Sequence, residues 1–311
     1  MVKRSDGAMK TKMKSKRFSE WRSKTLGEKI FTVINVILLS AIGFICLYPI
    51  IYILAVSLSG AKYVNMGDVW LLPKGFNLSS YSQIIKRDGI WTAYFNSFFY
   101  MIVGTAVSMV LTILGAYPLS KNRLVGNRAL NLIVVFTMWF AAGMVPMYLN
   151  FKDMNLLDSR LGIIIGFAVN TYNFILLRTY FKSIPDALEE AAKIDGANDF
   201  YILFKIYLPL AIPSLATIGL FYAIQHWNSY LWPMILLRSD SKIPLQVVLK
   251  KMVVDMSSRL DSMEFGRDTI GYSEDGFIYS TMIMAILPMV IIYPFVQKFF
   301  VKGVMIGSVK G

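Results

Sequence analysis

One polar stretch organises this sequence: Pro185-Asp-Ala-Leu-Glu-Glu-Ala-Ala-Lys-Ile-Asp-Gly-Ala-Asn-Asp199, which continues to Ile206-Tyr-Leu-Pro209. It is the longest polar and helix-favouring segment between two very apolar ones. The chain as a whole is basic, with a formal net charge of +13, whereas this stretch is rich in acidic residues. Its five carboxylates are Asp186, Glu189, Glu190, Asp195 and Asp199.

Helix signals divide the stretch in two. Asp186 is placed to cap a helix, with Glu189 three residues later as in a capping box. The residues from Ala187 to Ile194 favour helix, and Gly196 suits the left-handed conformation that ends one. A second short helix is predicted from Ala197 to Tyr207. The stretch is therefore predicted to form a helix-Gly-helix hairpin that lies on a membrane face.

Composition places the chain in a membrane. Of 311 residues, 56% are hydrophobic and 16% are charged, and the mean hydropathy is +0.53, which is too apolar for an ordinary soluble protein. The single cysteine, Cys46, and the single histidine, His226, exclude a disulfide framework, a cysteine-based metal site and a histidine cluster. No Gly-x-x-x-x-Gly-Lys-Ser/Thr loop occurs, so the chain does not bind ATP by that route.

Six uncharged runs follow the N-terminal segment. A helix needs about 20 residues to cross the hydrocarbon core of a bilayer, and all six runs reach or approach that length. The predicted fold is therefore an all-α polytopic membrane protein with six transmembrane helices. The runs are Phe31–Val56, Ala93–Leu119, Leu130–Leu149, Leu161–Leu177, Leu210–Leu237 and Phe277–Val296.

The distribution of Lys and Arg predicts the orientation. With the N-terminus inside, 20 of the 32 basic residues lie on the inner segments, so the positive-inside rule favours an N-in, C-in chain. Residues 1–29 are predicted to be a basic cytoplasmic tail that holds the N-terminus inside; the alternative is a site for anionic lipid or nucleic acid. The acidic hairpin is then cytoplasmic. The long loop at 238–276 is then outside, and its mixed charge suits a wet, reversible protein contact or simple solvation.

The hairpin also resembles a known motif. Glu190-Ala191-Ala192, three residues, Gly196, nine residues and Ile206-x-Leu208-Pro209 resemble the EAA loop of the permease subunits of ABC importers. For Glu-Ala-Ala alone, an ordinary amphipathic surface hairpin is the better interpretation. The wider sequence is similar to the carbohydrate-uptake branch typified by the maltose permease MalG, and within it to the LplC/YtcP type. It reads Leu188-Glu-Glu-Ala-Ala-Lys-Ile-Asp-Gly-Ala197, Leu208-Pro-Leu-Ala-Ile-Pro213 and Trp227-Asn228.

The resemblance covers the chain from the first run onward and implies a type I ABC importer (MetI-like) fold. It implies a permease domain over 30–302, with a coupling loop at about 182–209 and an extracellular loop at about 238–276, and a cytoplasmic tail over 303–311. It implies that Glu190 pairs with basic groups of an ATPase subunit, that small residues seat the helix, and that the acids cap the turn or touch the partner. The implied ATPase-coupling residues are Glu189, Glu190, Ala191, Ala192, Asp195, Gly196 and Ala197.

The resemblance also implies the partners. These are a second, MalF-like permease subunit, two ABC ATPase subunits that use ATP-Mg, and an extracellular solute-binding protein that meets the 238–276 loop. This chain would bind no cofactor or nucleic acid, would not be an enzyme, and would contact membrane lipid in the cell membrane. The implied cargo is an oligosaccharide or sugar derivative, with a polysaccharide breakdown product, including a uronate-containing one, as an expectation.

The spans themselves bear on the mechanism by what they lack. None of the six runs contains Asp, Glu, Lys or Arg, whereas ion-coupled transporters usually place ionisable groups or broken-helix ion sites near the midplane. Energy taken mechanically from a docked ATPase fits this absence. An ion-coupled secondary transporter and a non-transport membrane scaffold that holds a cytoplasmic partner remain alternatives. A membrane enzyme is less favoured, because no carboxylate pair or nucleophile-base set lies near a membrane face.

A few polar and aromatic residues within the runs are candidates for the substrate path. Aromatic faces stack on sugar rings and amides bond to hydroxyls, but the same residues also bridge and pack transmembrane helices. The histidine is a candidate partner for an acidic sugar, with a hydrogen-bonded packing role as the stronger alternative. The candidates are Gln225, His226, Trp227, Asn228, Tyr230, Trp139 and Asn173.

Overall fold

The structure is a computed structural model that describes residues 25–86, 88–140, 142–260 and 273–308. Most of the predicted N-terminal tail, part of the long loop at 261–272 and the last three residues lie outside this description. The side chains of 88, 255–260, 274 and 295–308 lie outside it as well.

The described residues are helical and contain no strand. Besides α-helices, the chain forms a π-helical segment, Leu203–Tyr207, and a 3-10 turn, Asp240–Lys242. The α-helices are α1 Leu26–Ser57, α2 Ala61–Asn65, α3 Ser79–Ile85, α4 Asp88–Ser120, α5 Asn127–Trp139, α6 Met144–Asp153, α7 Arg160–Gly166, α8 Thr171–Lys182, α9 Asp186–Ile194, α10 Asp199–Ile202, α11 Leu208–Leu210, α12 Ile212–Trp227, α13 Leu231–Leu236, α14 Leu245–Leu260 and α15 Glu274–Ser308.

The apolar runs of the sequence appear as three unbroken helices and three broken ones. Unbroken stretches long and apolar enough to span a membrane lie in α1, α4 and α15. The pairs α5 with α6, α7 with α8, and α10–α11 with α12 pass the same test together, and the last two are bent by 47° and 84°. At one break the Asn170 side chain accepts a hydrogen bond from the Asn173 backbone N–H at 3.1 Å, which caps α8. The all-helical membrane fold is thus as predicted.

Helix α4 lies at the centre of the bundle, packed against α7, α8, α12 and α14. Small residues allow the close approach: a Cβ at Gly104 would lie 2.9 Å from the His226 ring, and one at Gly115 would lie 2.6 Å from Phe174. Between them, Thr112 bonds the Tyr222 hydroxyl at 2.7 Å. A stripe of small residues on a transmembrane helix permits such close packing between helices. The stripe comprises Gly104, Ser108, Thr112, Ala116 and Ser120.

Helix α1 stands apart from this centre and packs mainly on α15. Its most apolar 18-residue window has no buried residue, and side chains such as Phe44 are fully turned outward. An apolar face of this size is stable only against lipid or another protein subunit. Helix α1 therefore presents a long apolar surface to one or the other.

The long loop after α13 is more ordered than its mixed charge predicts. Ile243, Leu245 and Val247 are buried, and α14 runs back along α4 and α15. The part of this loop that the structure describes is thus a packed helix with charged residues on its exposed side. At the other end of the chain, α15 continues to Ser308, beyond the predicted domain end at 302.

Candidate functional site

The predicted hairpin is present, with one correction at its start. Helix α9 ends before Gly196, which has a φ of +80°, and the Asn198 side chain caps α10 by accepting from the Tyr201 backbone N–H at 2.8 Å. The capping box predicted at Asp186 is wrong. Asp186 is the first helical residue and Pro185 occupies the cap position, while the Glu189 side chain turns inward to other partners.

Adjacent glutamates of α9 point in opposite directions. Successive residues of a helix are about 100° apart around its axis, so one of the pair faces the bundle. Glu189 is 6% exposed, whereas Glu190 and Ala191 are exposed on the far side. Ala192 and Ala197 pack partly against the buried cluster around Tyr207, and Asp195 and Gly196 lie at the exposed tip.

Glu189 is held by three groups of its own chain. Its carboxylate accepts from the Lys121 amine, from Lys193 Nζ at 2.5 Å and from the Tyr207 hydroxyl at 3.2 Å, and Arg123 lies 3.4 Å away. Burial by itself raises the pKa of a carboxyl group, but the hydrogen bonds from the two lysines outweigh it and hold the pKa of Glu189 at about 2. Glu189 is therefore ionised at neutral pH although it is buried.

Lys121 is the buried cation of this group. It is 8% exposed, and its amine lies 3.6 Å from the centre of the Tyr207 ring and 4.8 Å from that of Tyr117. Desolvation lowers the pKa of Lys121, and its hydrogen bond to Glu189 opposes that effect. The Glu189 carboxylate and the two tyrosine ring faces together compensate the desolvation of the buried Lys121 amine.

A second ion pair ties down the other half of the hairpin. Arg123 donates to Asp199 at the start of α10, while Lys121 holds α9. Both cations come from the short turn between α4 and α5. We call the group Lys121, Arg123, Glu189, Lys193 and Asp199 the hairpin cluster.

Side chains from two further helices fix the same turn. The carbonyl of Leu119, at the C-terminal end of α4, accepts from Asn127 Nδ2 at 3.0 Å and from Arg178 Nε at 3.1 Å. Asn127 also donates to the Lys121 carbonyl at 2.7 Å. Carbonyls at a helix C-terminus lack hydrogen-bond donors within the helix. The donors from α5 and α8 supply the missing hydrogen bonds at the end of α4. The end of α4, the hairpin and two neighbouring helices meet at one joint.

The opposite end of the bundle has a second charged group. Asp158, at a φ of +47°, accepts from the backbone N–H groups of Arg238 and Ser239, each at 3.0 Å, and from Lys242 Nζ at 2.9 Å. The hydrogen bonds from Ser239, followed by that from Lys242, hold the pKa of Asp158 well below its usual range. We call Asp158, Arg238, Ser239 and Lys242 the Asp158 cluster.

This cluster is continuous with the N-terminal half of α4. Buried Asn96 donates to the carbonyls of Ser241 at 2.9 Å and Ile243 at 3.1 Å, and the Tyr100 hydroxyl donates to the Lys242 carbonyl at 2.9 Å. Ser97 Oγ accepts from the Leu245 N–H at 2.8 Å. Arg160 joins the group by donating to Asn96 Oδ1 at 2.9 Å and to the Ser241 carbonyl at 3.2 Å. The segment 238–245 is thereby fixed to α4.

Four of the seven predicted substrate-path residues come together. Gln225, His226, Asn228 and Tyr230 line a cavity of about 290 Å³ beside Trp232 and Phe167. Asn170 Nδ2 donates to Gln225 Oε1 at 3.3 Å at the break between α7 and α8. Amides and aromatic faces thus share one cavity, a combination that suits a polar, ring-shaped ligand.

The other three residues do not line this cavity. Trp227 is 1% exposed and packs against Phe98, with ring centres 5.0 Å apart. Trp139 is exposed at the end of α5, and Asn173 is buried within α8. His226 itself is buried against Gly104 and within 3.2 Å of Ser108 Oγ, the geometry of a helix-packing residue with one edge in the cavity.

Sequence reasoning missed the partners of the hairpin. Lys121 and Arg123 entered only as positive-inside charges, although they are the first basic residues after the 32 uncharged ones at 89–120. Asp158, whose partner is Lys242, was not singled out either. Both omissions concern pairs far apart in the sequence, such as Lys121 and Glu189.

Comparison with known proteins gives one consistent result. The model of the family described as "Binding-protein-dependent transport system inner membrane component" matches residues 89–306. The polygalacturonan/rhamnogalacturonan transport system permease protein YtcP of Bacillus subtilis is 41% identical over 86% of this chain and 93% of its own length. Protein LplC of the same organism is 34% identical over 92% of this chain and 97% of its own.

A solved structure agrees. A chain in the crystal structure of a bacterial ABC transporter involved in the import of the acidic polysaccharide alginate is 45% identical, with a TM-score of 0.82 over 89% of this chain and 99% of that one. The resemblance to carbohydrate-uptake permeases of the LplC/YtcP type is therefore confirmed. The chain belongs to the family of inner membrane components of binding-protein-dependent transport systems, as a multi-pass permease subunit of an ABC importer.

Proposed function

We propose that this chain forms half of the translocation pathway for a uronate-containing oligosaccharide and that it takes up the force of ATP hydrolysis through the 182–209 hairpin. The observation that carries the coupling role is that two neighbouring glutamates face opposite sides of α9. Glu189 is fully engaged within its own chain, while Glu190 and Ala191 remain on the exposed face. An acid next to a small residue is then free for a partner.

The exposed face of the hairpin suits a protein cleft. Ile194 is 87% exposed, and Phe200 and Phe204 lie more than half exposed on the second half of the hairpin. Solvent-exposed apolar side chains of this size beside a carboxylate mark an interaction surface. The occupant we propose is an ABC ATPase subunit, one of two in the complex, which hydrolyses ATP-Mg while this chain binds no cofactor.

The proposed topology has six spans in an N-in, C-in orientation, which puts the hairpin on the ATPase side. Three unbroken helices and three bent helix pairs are candidates for these spans, and in this orientation the excess of basic residues lies on the hairpin side. The unpartnered face of α1 suits a second, MalF-like permease subunit. The segment 238–276 on the other side suits contact with an extracellular solute-binding protein.

The cargo is proposed from chemistry and from two relatives. Polygalacturonan, named for one relative, and alginate, which the other transporter helps to import, are both polymers of uronic acids. The cavity lined by Gln225, Asn228 and Tyr230 offers amide and hydroxyl groups to sugar hydroxyls. A pathway that makes few ionic contacts lets a charged sugar pass without being held.

Cysteine cross-linking tests the coupling role. Ala191→Cys in a Cys46→Ser background is co-expressed with candidate ATPases that carry single cysteines. We expect a disulfide whose yield changes when ATP is added. Uptake of oligogalacturonate into vesicles is measured in parallel and is expected to depend on ATP and to resist ionophores.

Two results would contradict the proposal. A cysteine that reacts freely with soluble reagents from inside but with no ATPase would favour a membrane scaffold. Uptake abolished by ionophores and independent of ATP would favour a secondary transporter. As a matched control, Ala187→Cys lies one turn earlier on the same helix and is also exposed, so it reports labelling without the motif.

A further inference from the structure

We propose that α4 acts as a strut that joins the hairpin to segment 238–245, with Lys121 and Tyr100 as positioning residues at its two ends. This inference rests on the proposed function. It adds that a displacement of the hairpin reaches the opposite face of the membrane through this one helix. The consequence is a coupling between the ATPase side and the side on which α14 lies.

The C-terminal end of α4 is attached by buried groups. The Lys121 side chain, next to the last residue of α4, bonds Glu189 of α9, and Arg123 bonds Asp199 of α10. The Leu119 carbonyl is bonded from α5 and α8. A buried ion pair cannot separate without leaving charges unpaired away from water, so the hairpin and this end of α4 move together.

The N-terminal half of α4 is attached in a different way. Asn96, Ser97 and Tyr100 all bond backbone groups of residues 241–245, and all three are nearly or completely buried. Backbone contacts fix the path of the segment itself and not just one side chain. This segment leads directly into α14, so a shift of α4 displaces the start of that helix.

Between the two ends the helix is continuous. Its 33 residues span about 50 Å at 1.5 Å per residue. The neighbouring pair α7 and α8 is bent by 47° at its break, where a displacement can be absorbed. Close packing of α4 through Gly104 and Gly115 keeps it from sliding past α12 and α8 without repacking.

A strut of this kind makes the coupling reciprocal. If nucleotide binding moves the hairpin, it changes the energy of the arrangement at 238–245, and a protein that docks there changes nucleotide affinity by the same factor. Two sites this far apart would ordinarily be independent, and their mutational effects would add. The quantity to be measured is therefore the departure from additivity when both sites are changed together.

The experiment uses the complete complex in lipid nanodiscs. Lys250→Cys, exposed on α14, is introduced in the Cys46→Ser background, and its maleimide reaction rate is measured with and without a non-hydrolysable ATP analogue. The same response is then measured in Lys121→Met, in Tyr100→Phe and in the double variant. ATP hydrolysis is measured on every sample.

We expect the analogue to change the rate about 5-fold or more in the parent, in the usual range of allosteric coupling. Each single variant should lose most of that response, and the double variant should lose no more than the stronger single one. Lys121→Arg should restore it, because the cation is kept. Tyr100→Phe removes one hydroxyl only, so it tests the strut even if Lys121→Met fails to assemble.

Matched controls remove the same groups away from α4. Lys74→Met removes an exposed lysine that lies 3.9 Å from Asp68, and Tyr81→Phe removes a hydroxyl bonded to Ser57 at 2.9 Å. Both should leave the response unchanged. A parent complex that does not hydrolyse ATP would overturn the proposed function itself. The strut alone would be overturned if ATP is hydrolysed but the response of the Lys250→Cys reaction rate to the analogue is unchanged in Tyr100→Phe and Lys121→Met. It would also be overturned if the losses of that response in the two single variants multiply in the double variant.

Discussion

The hairpin cluster and the Asp158 cluster both fasten a connecting segment to α4, but they do so in different environments. Glu189 and Lys121 have side chains that are 7% and 8% exposed, whereas those of Asp158 and Lys242 are 28% and 32% exposed. Buried charges are stable only as a set, because removal of one strands the other. Half-exposed charges retain water as a substitute partner. Substitutions in the hairpin cluster should therefore destabilise the protein more than substitutions in the Asp158 cluster.

Lys121→Met is expected to give the largest effect. It removes the buried cation and leaves Glu189 ionised without its main partner, a loss that typically costs about 3–5 kcal/mol. The apparent melting temperature of the purified complex should fall steeply. The measurement is thermal unfolding in detergent at neutral pH.

The pH dependence of the hairpin cluster is the next largest effect. Because the pKa of Glu189 is lowered from 4.5 to about 2 in the folded chain, its contribution is complete above pH 4.5 and is lost as the pH falls toward 2. The shift corresponds to about 3 kcal/mol. Thermal unfolding between pH 6 and pH 3 should show a steeper loss in the parent than in Glu189→Gln. Parallel curves would show that Glu189 is not the titrating group.

Much of the hairpin could be predicted from the sequence, because its signals are local. Gly196 and the helix-favouring residues before it lie within a few positions of the turn that they form. The capping box failed because Asp186 and Glu189 were judged by local spacing, while Glu189 is drawn to Lys121, 68 positions earlier. Local preference gives way where a buried partner is available.

The candidate site was harder to predict than the fold. The apolar runs predict helices that can span a membrane, but not where those helices break or which face of each one is buried. Gln225 and Asn228 line a cavity while Trp227 between them packs inside, since helix rotation separates neighbours. The long loop was judged by its charges, although the alternating apolar residues at Ile243, Leu245 and Val247 were visible in the sequence.

Asp158→Asn tests whether the more exposed Asp158 cluster is less sensitive to the loss of a charge. The amide keeps one oxygen for the backbone N–H groups of Arg238 and Ser239 but loses the ionic contact to Lys242. The melting temperature should fall by clearly less than in Lys121→Met, and raised salt should narrow the difference. Asp240→Asn is the matched control, since Asp240 is almost fully exposed at 3.7 Å from Lys251. A loss as large as that of Lys121→Met would remove the distinction between the clusters.

Lys193→Met is expected to give the smallest loss of stability. It tests whether the burial of a lysine, and not only its distance from Glu189, sets the size of that loss. Lys193 lies 2.5 Å from the same carboxylate as Lys121, yet 35% of its side chain is exposed and it sits one helical turn from Glu189. Pairs of this kind contribute about 0.3–0.5 kcal/mol. Thermal unfolding at low and high salt should therefore show a small loss that salt removes. If Lys193→Met instead matched Lys121→Met, contact with Glu189 alone would fix the hairpin, and the burial of Lys121 between two tyrosine rings would have no separate role.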